Sequence, residues 1–236
     1  LAHLKIAKKR NIPSILEINY ACEEIVTPFM RKELERLGLK DDEIMYEHHE
    51  TSRELYEAPS YFIGAGNRTY TEKTYRDFGI DKVRYFDAGI DFDHFVPDFQ
   101  ARKEQKKIRV TFTAASLAFR KGIIHTCRAW RALPSSYHEK LELHFFGKLP
   151  YGSQSLKEFE ELKKDFPNVI HHPFMSNQSA EYVHEHAISH VMLCPAMAEG
   201  QSGTAFEGTS FGLFPIVSPF TGLDFEKIPG KVLSPE

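Results

Sequence analysis

Between residues 108 and 218, short apolar runs alternate with stretches of helical periodicity, and this alternation constrains the fold more than any other feature of the chain. The apolar runs are residues 108–114, 141–146, 168–172, 191–195 and 214–218. Residues 122–133, 156–166, 178–187 and 204–211 carry apolar side chains at helical spacing between them. A strand that is followed by a helix re-enters the sheet from the same end. The strands are therefore parallel, with right-handed crossovers, and both faces of the sheet are covered. A shorter series precedes it. Residues 1–10 read as a helix, Asn11-Ile12-Pro13 punctuates it, and residues 14–19, 60–65 and 83–86 read as strands. Helical sequence follows at 31–37, 45–56 and 70–78. The polar, charged stretch 98–107 suits a linker between the two series.

The expected organisation is an α/β protein with two Rossmann-like, doubly wound parallel-sheet domains. Residues 1–97 form the later part of the first domain, 98–107 the linker and 108–236 the second domain. The chain opens inside a helix and stops before the last elements such a domain usually has, so both domains are expected to be truncated. Composition limits the function classes. With 42% hydrophobic and 13% aromatic residues among 236, packed cores are within reach, and a net charge of −3 leaves no basic field for a nucleic acid. Cys22, Cys127 and Cys194 are far apart and odd in number, which suits free thiols in a reducing compartment. No apolar run reaches the ~18 residues a membrane span needs, and no signal peptide is visible.

The chemistry gathers at residues 198–208, between two of the apolar runs. Glu199 falls at the carboxyl end of a buried strand, where open α/β sheets bind ligands. Gly200, Gln201, Ser202, Gly203, Thr204 and Ala205 then lie where a helix begins, so unpaired NH groups and the positive end of the helix dipole face outward. Such a site suits an anion. Two carboxylates repel phosphate and bind hydroxyls instead, and a ligand that carries both an anionic group and hydroxyls suggests a nucleotide sugar.

Glu199 and Glu207, with seven residues between them, together with Glu199-Gly200 and Gly212-Leu213-Phe214-Pro215-Ile216-Val217, resemble the E-x7-E signature of retaining GT-B glycosyltransferases. The family resembled is glycosyltransferase family 4, the glycosyl transferases group 1 type. In a chain this rich in Glu the spacing alone says little, and the flanking strand and glycines carry the likeness. It runs from Ile12-Pro13 through Asp87-Ala88-Gly89-Ile90-Asp91 and Arg120-Lys121-Gly122 to Thr221-Gly222.

The resemblance implies a sugar transferase with a nucleoside diphosphate-sugar donor, carrying UDP or GDP, and a saccharide or lipid-linked acceptor. It implies that Glu207 holds the ribose, Glu199 the hydroxyls of the transferred sugar, and the NH groups of residues 200–205 the sugar and diphosphate. Lys121, with Arg120, is implied at the diphosphate, where fixed cations stabilise the departing charge. Ser116 stands where the family often has an arginine. Phe174, in Pro173-Phe174-Met175, lies either at the base or in packing. Asn19 takes an acceptor-side place where the family often has a histidine; it cannot titrate, so no general base is assigned. No cofactor and no metal are expected. Asp91-Phe92-Asp93 reads as the segment leading into the linker, and His48-His49, His171-His172 and the pair His184 and His186 lack zinc spacing and an acidic third ligand. The expected setting is cytoplasmic, with peripheral association at the inner membrane face and no nucleic-acid partner. A GT-B epimerase, a phosphorylase and a non-catalytic nucleotide-sugar binder are the alternatives.

Overall fold

The computed structural model describes residues 2–18, 21–40, 43–44, 53–86, 89–224 and 230–233. The chain divides into two compact units. The first comprises Leu1–Ala88, Ala198–Ser202 and Phe220–Asp224, and the second Gly89–Met197, Gly203–Pro219 and Phe225–Glu236.

In the first unit, α1 (Ala2–Lys9) leads to β1 (Ile15–Ile18), followed by α2 (Glu23–Leu37), α3 (Arg53–Glu57), β2 (Tyr61–Ala65), α4 (Lys73–Asp77) and β3 (Val83–Phe86). The strands form a parallel sheet in the order β1-β2-β3. Ile18, Cys22, Tyr56, Phe62, Tyr75, Ile80 and Val83 form its core. Tyr56 turns its ring edge-on to Tyr75 at 5.6 Å, a favoured aromatic geometry. Helix α2 begins well before the periodic signal at residue 31. Pro28 lies inside it and removes a main-chain donor, which is why the signal starts only beyond it. The helical stretch at 70–78 opens instead as a π-helical turn, Arg68–Glu72, whose first turn is capped by the Asn67 side chain accepting from Tyr70 N at 2.8 Å. Asn19 and most of the 45–56 stretch lie outside the described residues.

The second unit contains α5 (Phe99–Lys103), β4 (Ile108–Ser116), α6 (Ile123–Ala132), α7 (Ser135–His138), β5 (Leu141–Lys148), α8 (Ser153–Asp165), β6 (Val169–His172), α9 (Ala180–Ala187), β7 (Val191–Cys194), α10 (Gly203–Ser210), β8 (Phe214–Val217) and β9 (Lys231–Val232). Its sheet is parallel throughout, in the order β6-β5-β4-β7-β8-β9. Counted within the unit this is 3-2-1-4-5-6, the order of dinucleotide-binding folds, and it reverses direction between β4 and β7. Phe112, Phe145, Phe146, Phe159 and Phe211 fill the core.

The division differs from the one expected at residues 98–107, because that charged stretch packs on the second unit. Asp98 caps α5 by accepting from Ala101 N at 2.9 Å. Arg102 donates to the carbonyl oxygens of Ala187 at 2.9 Å, Phe211 at 2.6 Å and Gly212 at 3.0 Å, which lie at the carboxyl ends of α9 and α10. A cation there satisfies helix-end carbonyls and the negative end of the dipole, so a run of charges became an ordered strap. Among the described residues no helix is long and apolar enough to cross a membrane.

Candidate functional site

At the strand-order reversal of the second unit lies a cavity of about 280 Å³. Thr113, Ala114 and Ala115 of β4 form one side and Phe146 and Gly147 of β5 the next. Phe174 to Asn177 of the loop after β6, Tyr182 of α9, and Thr204 and Glu207 of α10 complete it. Open α/β sheets place ligands here because crossover helices leave on opposite faces and open a crevice.

Glu207 is already held on both oxygens. Tyr182 OH donates to Oε2 at 2.5 Å and Asn177 Nδ2 donates to Oε1 at 2.8 Å. The first is as short as hydroxyl–carboxylate bonds become. Burial, with the Glu207 charge beside it, pushes the Tyr182 phenol well above its ordinary range, so it stays a donor. Asn177 is tied in turn, since His94 Nε2 donates to its carbonyl oxygen at 2.8 Å. His94 stands in a turn in which Asp91 Oδ1 accepts from Asp93 N and His94 N, each at 3.1 Å. Thus Asp91, of the D-x-D sequence, serves as a turn-forming acceptor.

Beneath Tyr182 is a stack of rings. Tyr182 lies on His186 with centroids 4.0 Å apart, His186 is 4.5 Å from Phe146, and Phe146 is stacked on His172 at 4.2 Å. His186 Nδ1 donates to Tyr182 O at 2.8 Å, so its unprotonated Nε2 accepts from Thr113 Oγ1, also at 2.8 Å. Burial holds His186 down to about 4 and, with the Arg109 charge, His144 down to about 3. Both are neutral rings at neutral pH. No acidic third ligand accompanies the histidine pairs in the sequence, but the fold supplies one. His144, His172 and Glu185 bring ligand-type atoms within 4.8 Å of one another. Arg109 is ion-paired with Glu185 and lies 3.3 Å from His144 Nδ1, which places a fixed cation among them.

The Arg120-Lys121-Gly122 sequence ends a short 3-10 turn, Phe119–Lys121, before α6. Gly122 has φ 85°, and a Cβ on it would come within 2.3 Å of Pro195 O, so only glycine lets this turn meet the end of β7. Arg120 O accepts from Met197 N at 2.8 Å. Ser116, at the end of β4, follows a register shift that begins at Thr113.

Glu199 belongs to the first unit and is buried, 8% exposed. Its NH donates to Phe220 O at 3.1 Å and Ser202 N donates to Thr221 O at 2.9 Å. Thr71 Oγ1 donates to Gly200 O at 2.6 Å, and Asn67 Nδ2 donates to Leu223 O at 2.7 Å. Gly222, with φ 69°, passes so near that a Cβ would lie 1.7 Å from Gly200 O. The glycines of Glu199-Gly200 and Thr221-Gly222 therefore let two loop strands run side by side. Gln201 continues that loop. In the second unit, Ala205 and Gly208 form the buried side of α10, which begins at Gly203.

Of the donor-side residues named from sequence, Thr204, Glu207 and Phe174 line one cavity. Ser116, Arg120 and Lys121 do not line it. Phe174 is 52% exposed and lies under Lys148 Nζ at 5.7 Å, so it faces the cavity mouth rather than the core. Tyr182 was missed. It reads as one more apolar position on an amphipathic helix, and only its contact with Glu207 distinguishes it. Asn177 carries no signal of its own in the sequence, where it is one polar residue of a loop.

The fold and cavity define a Rossmann-like α/β unit with a crevice at its strand-order reversal. Residues 97–225, more than half of the chain, match the family described as Glycosyl transferases group 1, and the chain belongs to that family. No curated protein matches it by sequence. Among solved structures, Anabaena Alr3699/HepE in complex with UDP and glucose is similar at TM-score 0.66 and 12% identity, over 99% of this chain and 61% of that one. Sucrose-phosphate synthase from Thermosynechococcus elongatus is similar at TM-score 0.62 and 16% identity, over 98% of this chain and 63% of that one. WaaG, a glycosyltransferase involved in lipopolysaccharide biosynthesis, is similar at TM-score 0.60 and 16% identity, over 89% and 57%. At these identities the likeness is one of fold, the α/β fold of GT-B glycosyltransferases with parallel sheets. The chain spans about three fifths of the length of these proteins.

Proposed function

We propose that this chain is the nucleotide-sugar-handling part of a retaining glycosyltransferase that moves a sugar from a nucleoside diphosphate to an acceptor hydroxyl. The observation that carries the reading is Glu207, a carboxylate held at the rim of a cavity at the strand-order reversal, inside the region that matches the family. A carboxylate accepts hydrogen bonds from a pair of ribose hydroxyls, and Phe174 and Phe146 offer apolar surface for a base. The probe of choice is UDP, the nucleotide bound by the HepE structure. Residues 108–236 take the donor and residues 1–97 the acceptor, with Asn19 on the acceptor side.

In this reading Glu199 accepts from hydroxyls of the transferred sugar. The NH groups of residues 200–205, with Lys121 and Arg120, stabilise the leaving diphosphate as its charge grows, and Ser116 lies on the diphosphate side. Interactions that strengthen as charge develops lower the barrier rather than merely tighten binding. The acceptor hydroxyl attacks from the face on which the diphosphate departs, which retains configuration. No metal or cofactor takes part, and the acceptor is a saccharide, free or lipid-linked, at the cytoplasmic membrane face.

Calorimetry with UDP and UDP-glucose on two variants tests the assignment. Glu207→Gln should weaken both ligands by similar factors, because both contain the ribose. Glu199→Gln should leave UDP near wild type while UDP-glucose affinity or turnover falls by roughly 1 to 3 kcal/mol. Equal weakening of both ligands by Glu199→Gln would remove its assignment to the sugar. Consumption of donor without acceptor would point to an epimerase, and no consumption at all to a binding protein.

A further inference from the structure

We propose that Tyr182 is a positioning residue for nucleotide binding, fixing the Glu207 carboxylate in the orientation that receives the ribose; this rests on the ribose reading of Glu207 given above. An ionised carboxylate has about four acceptor sites. Tyr182 OH occupies one on Oε2 and Asn177 Nδ2 one on Oε1, which leaves two, the number that a vicinal diol needs. A carboxylate on a helix is otherwise free to turn about its side-chain torsions. Each donor removes part of that freedom before the ligand arrives, and preorganisation of this kind raises affinity by cutting the cost of ordering.

The two donors differ in stiffness. Asn177 belongs to a loop and is exposed. Tyr182 is 3% exposed, and three contacts hold it: its ring lies on His186, its carbonyl accepts from His186 Nδ1, and its NH donates to Ser179 Oγ at 3.2 Å. His186 is fixed in turn through Thr113, which itself lines the cavity. The phenol oxygen therefore has a set position, and Glu207 adjusts to it. Replacing Tyr182 with Phe keeps the ring and its stacking while removing only the donor, so the side chain's packing and its hydrogen bond are separable.

The test is calorimetric titration of UDP and of 2′,3′-dideoxyuridine diphosphate into wild type, Tyr182→Phe, Glu207→Gln and the double variant, with thermal unfolding of each as a control on folding. Tyr182→Phe is expected to weaken UDP about tenfold, the effect of one charge-assisted hydrogen bond, and to leave the dideoxy compound within about twofold. In the Glu207→Gln background the same change should cost nothing further. If Glu207→Gln binds UDP like wild type, the ribose reading falls and this proposal with it. If Glu207→Gln weakens UDP while Tyr182→Phe is neutral, costs as much without Glu207, or weakens the dideoxy compound equally, the positioning role alone is overturned. Should Tyr182→Phe fail to fold, Asn177→Ala removes the other donor from a surface loop. It is expected to cost about threefold for UDP and nothing for the dideoxy compound, and a loss shared by both ligands would overturn preorganisation of the carboxylate.

Discussion

The two glutamates of the E-x7-E sequence stand on different kinds of element, one on a helix of the second unit and one on a loop of the first. Glu207 sits on a helix, and side chains orient it: Tyr182, Asn177 and, behind Tyr182, His186. Glu199 sits on a loop whose course is set by main-chain bonds to Phe220 and Thr221, a Thr71 hydroxyl on Gly200 O, and the close passage of Gly222. The first arrangement can be altered one functional group at a time. The second includes a main-chain passage that admits no Cβ at Gly222, so that glycine is one of its sensitive positions.

Acid should separate the two arrangements most. His144 and His186 ordinarily titrate near 6.5 and are held down to about 3 and about 4, chiefly by burial. Above pH 6.5 they are neutral whether the chain is folded or not. As pH falls from there towards 4, the unfolded chain binds protons that the fold excludes, so stability of the second unit is lost. The slope is about 1.4 kcal/mol per pH unit for each excluded proton. Denaturant unfolding between pH 7 and 5 measures it, and His186→Gln, which does not titrate, should flatten it. An unchanged slope would mean that His186 is not neutral in the fold.

Gly222→Ala strikes the other arrangement. A Cβ 1.7 Å from Gly200 O, on a residue with φ 69°, forces the loop apart at a cost of roughly 3 kcal/mol or more. UDP binding should stay within a few-fold while turnover falls steeply, if Glu199 serves the sugar. Comparable loss of UDP affinity would show that the two arrangements are not independent.

Lys121→Ala, in the full-length enzyme, tests the proposed contact of Lys121 with the leaving diphosphate. Loss of one charge-assisted hydrogen bond, about 1.5 to 3 kcal/mol, should lower turnover about ten- to a hundredfold, and added magnesium should not restore it. A chelator that abolishes wild-type activity would rule out the metal-free mechanism. The smallest effect is expected from Thr71→Val, which removes the hydroxyl on Gly200 O. About 1 kcal/mol of local stability should appear as faster amide exchange in the first unit, with UDP affinity unchanged.

Much of the fold was legible because it is local. Buried parallel strands must be apolar, and helices between them must carry one apolar face, so β4 to β8 and α6, α8, α9 and α10 follow the periodicity to within a few residues. Helix α5 is hidden in the sequence because a charged stretch suits a linker, whereas Arg102 turns its charge on helix-end carbonyls. Strand β9 was hidden because two residues, Lys231 and Val232, carry no periodicity and pair only through β8.

The sequence by itself determined the parallel α/β architecture, the family, and Glu199, Glu207 and Lys121 as residues to examine, since these depend on neighbours along the chain. Only the tertiary structure decided what surrounds them. Tyr182 and Asn177 lie 25 and 30 positions from Glu207, on a helix and a loop that meet it because the strand order 3-2-1-4-5-6 brings those crossovers to one crevice. Glu185 joins His144 and His172 for the same reason, and Gly222 meets Gly200 because the loop before α10 and the loop after β8 run side by side. Periodicity records which face of an element is buried; which residue meets which across the sheet depends on strand order, and strand order is a property of the folded chain.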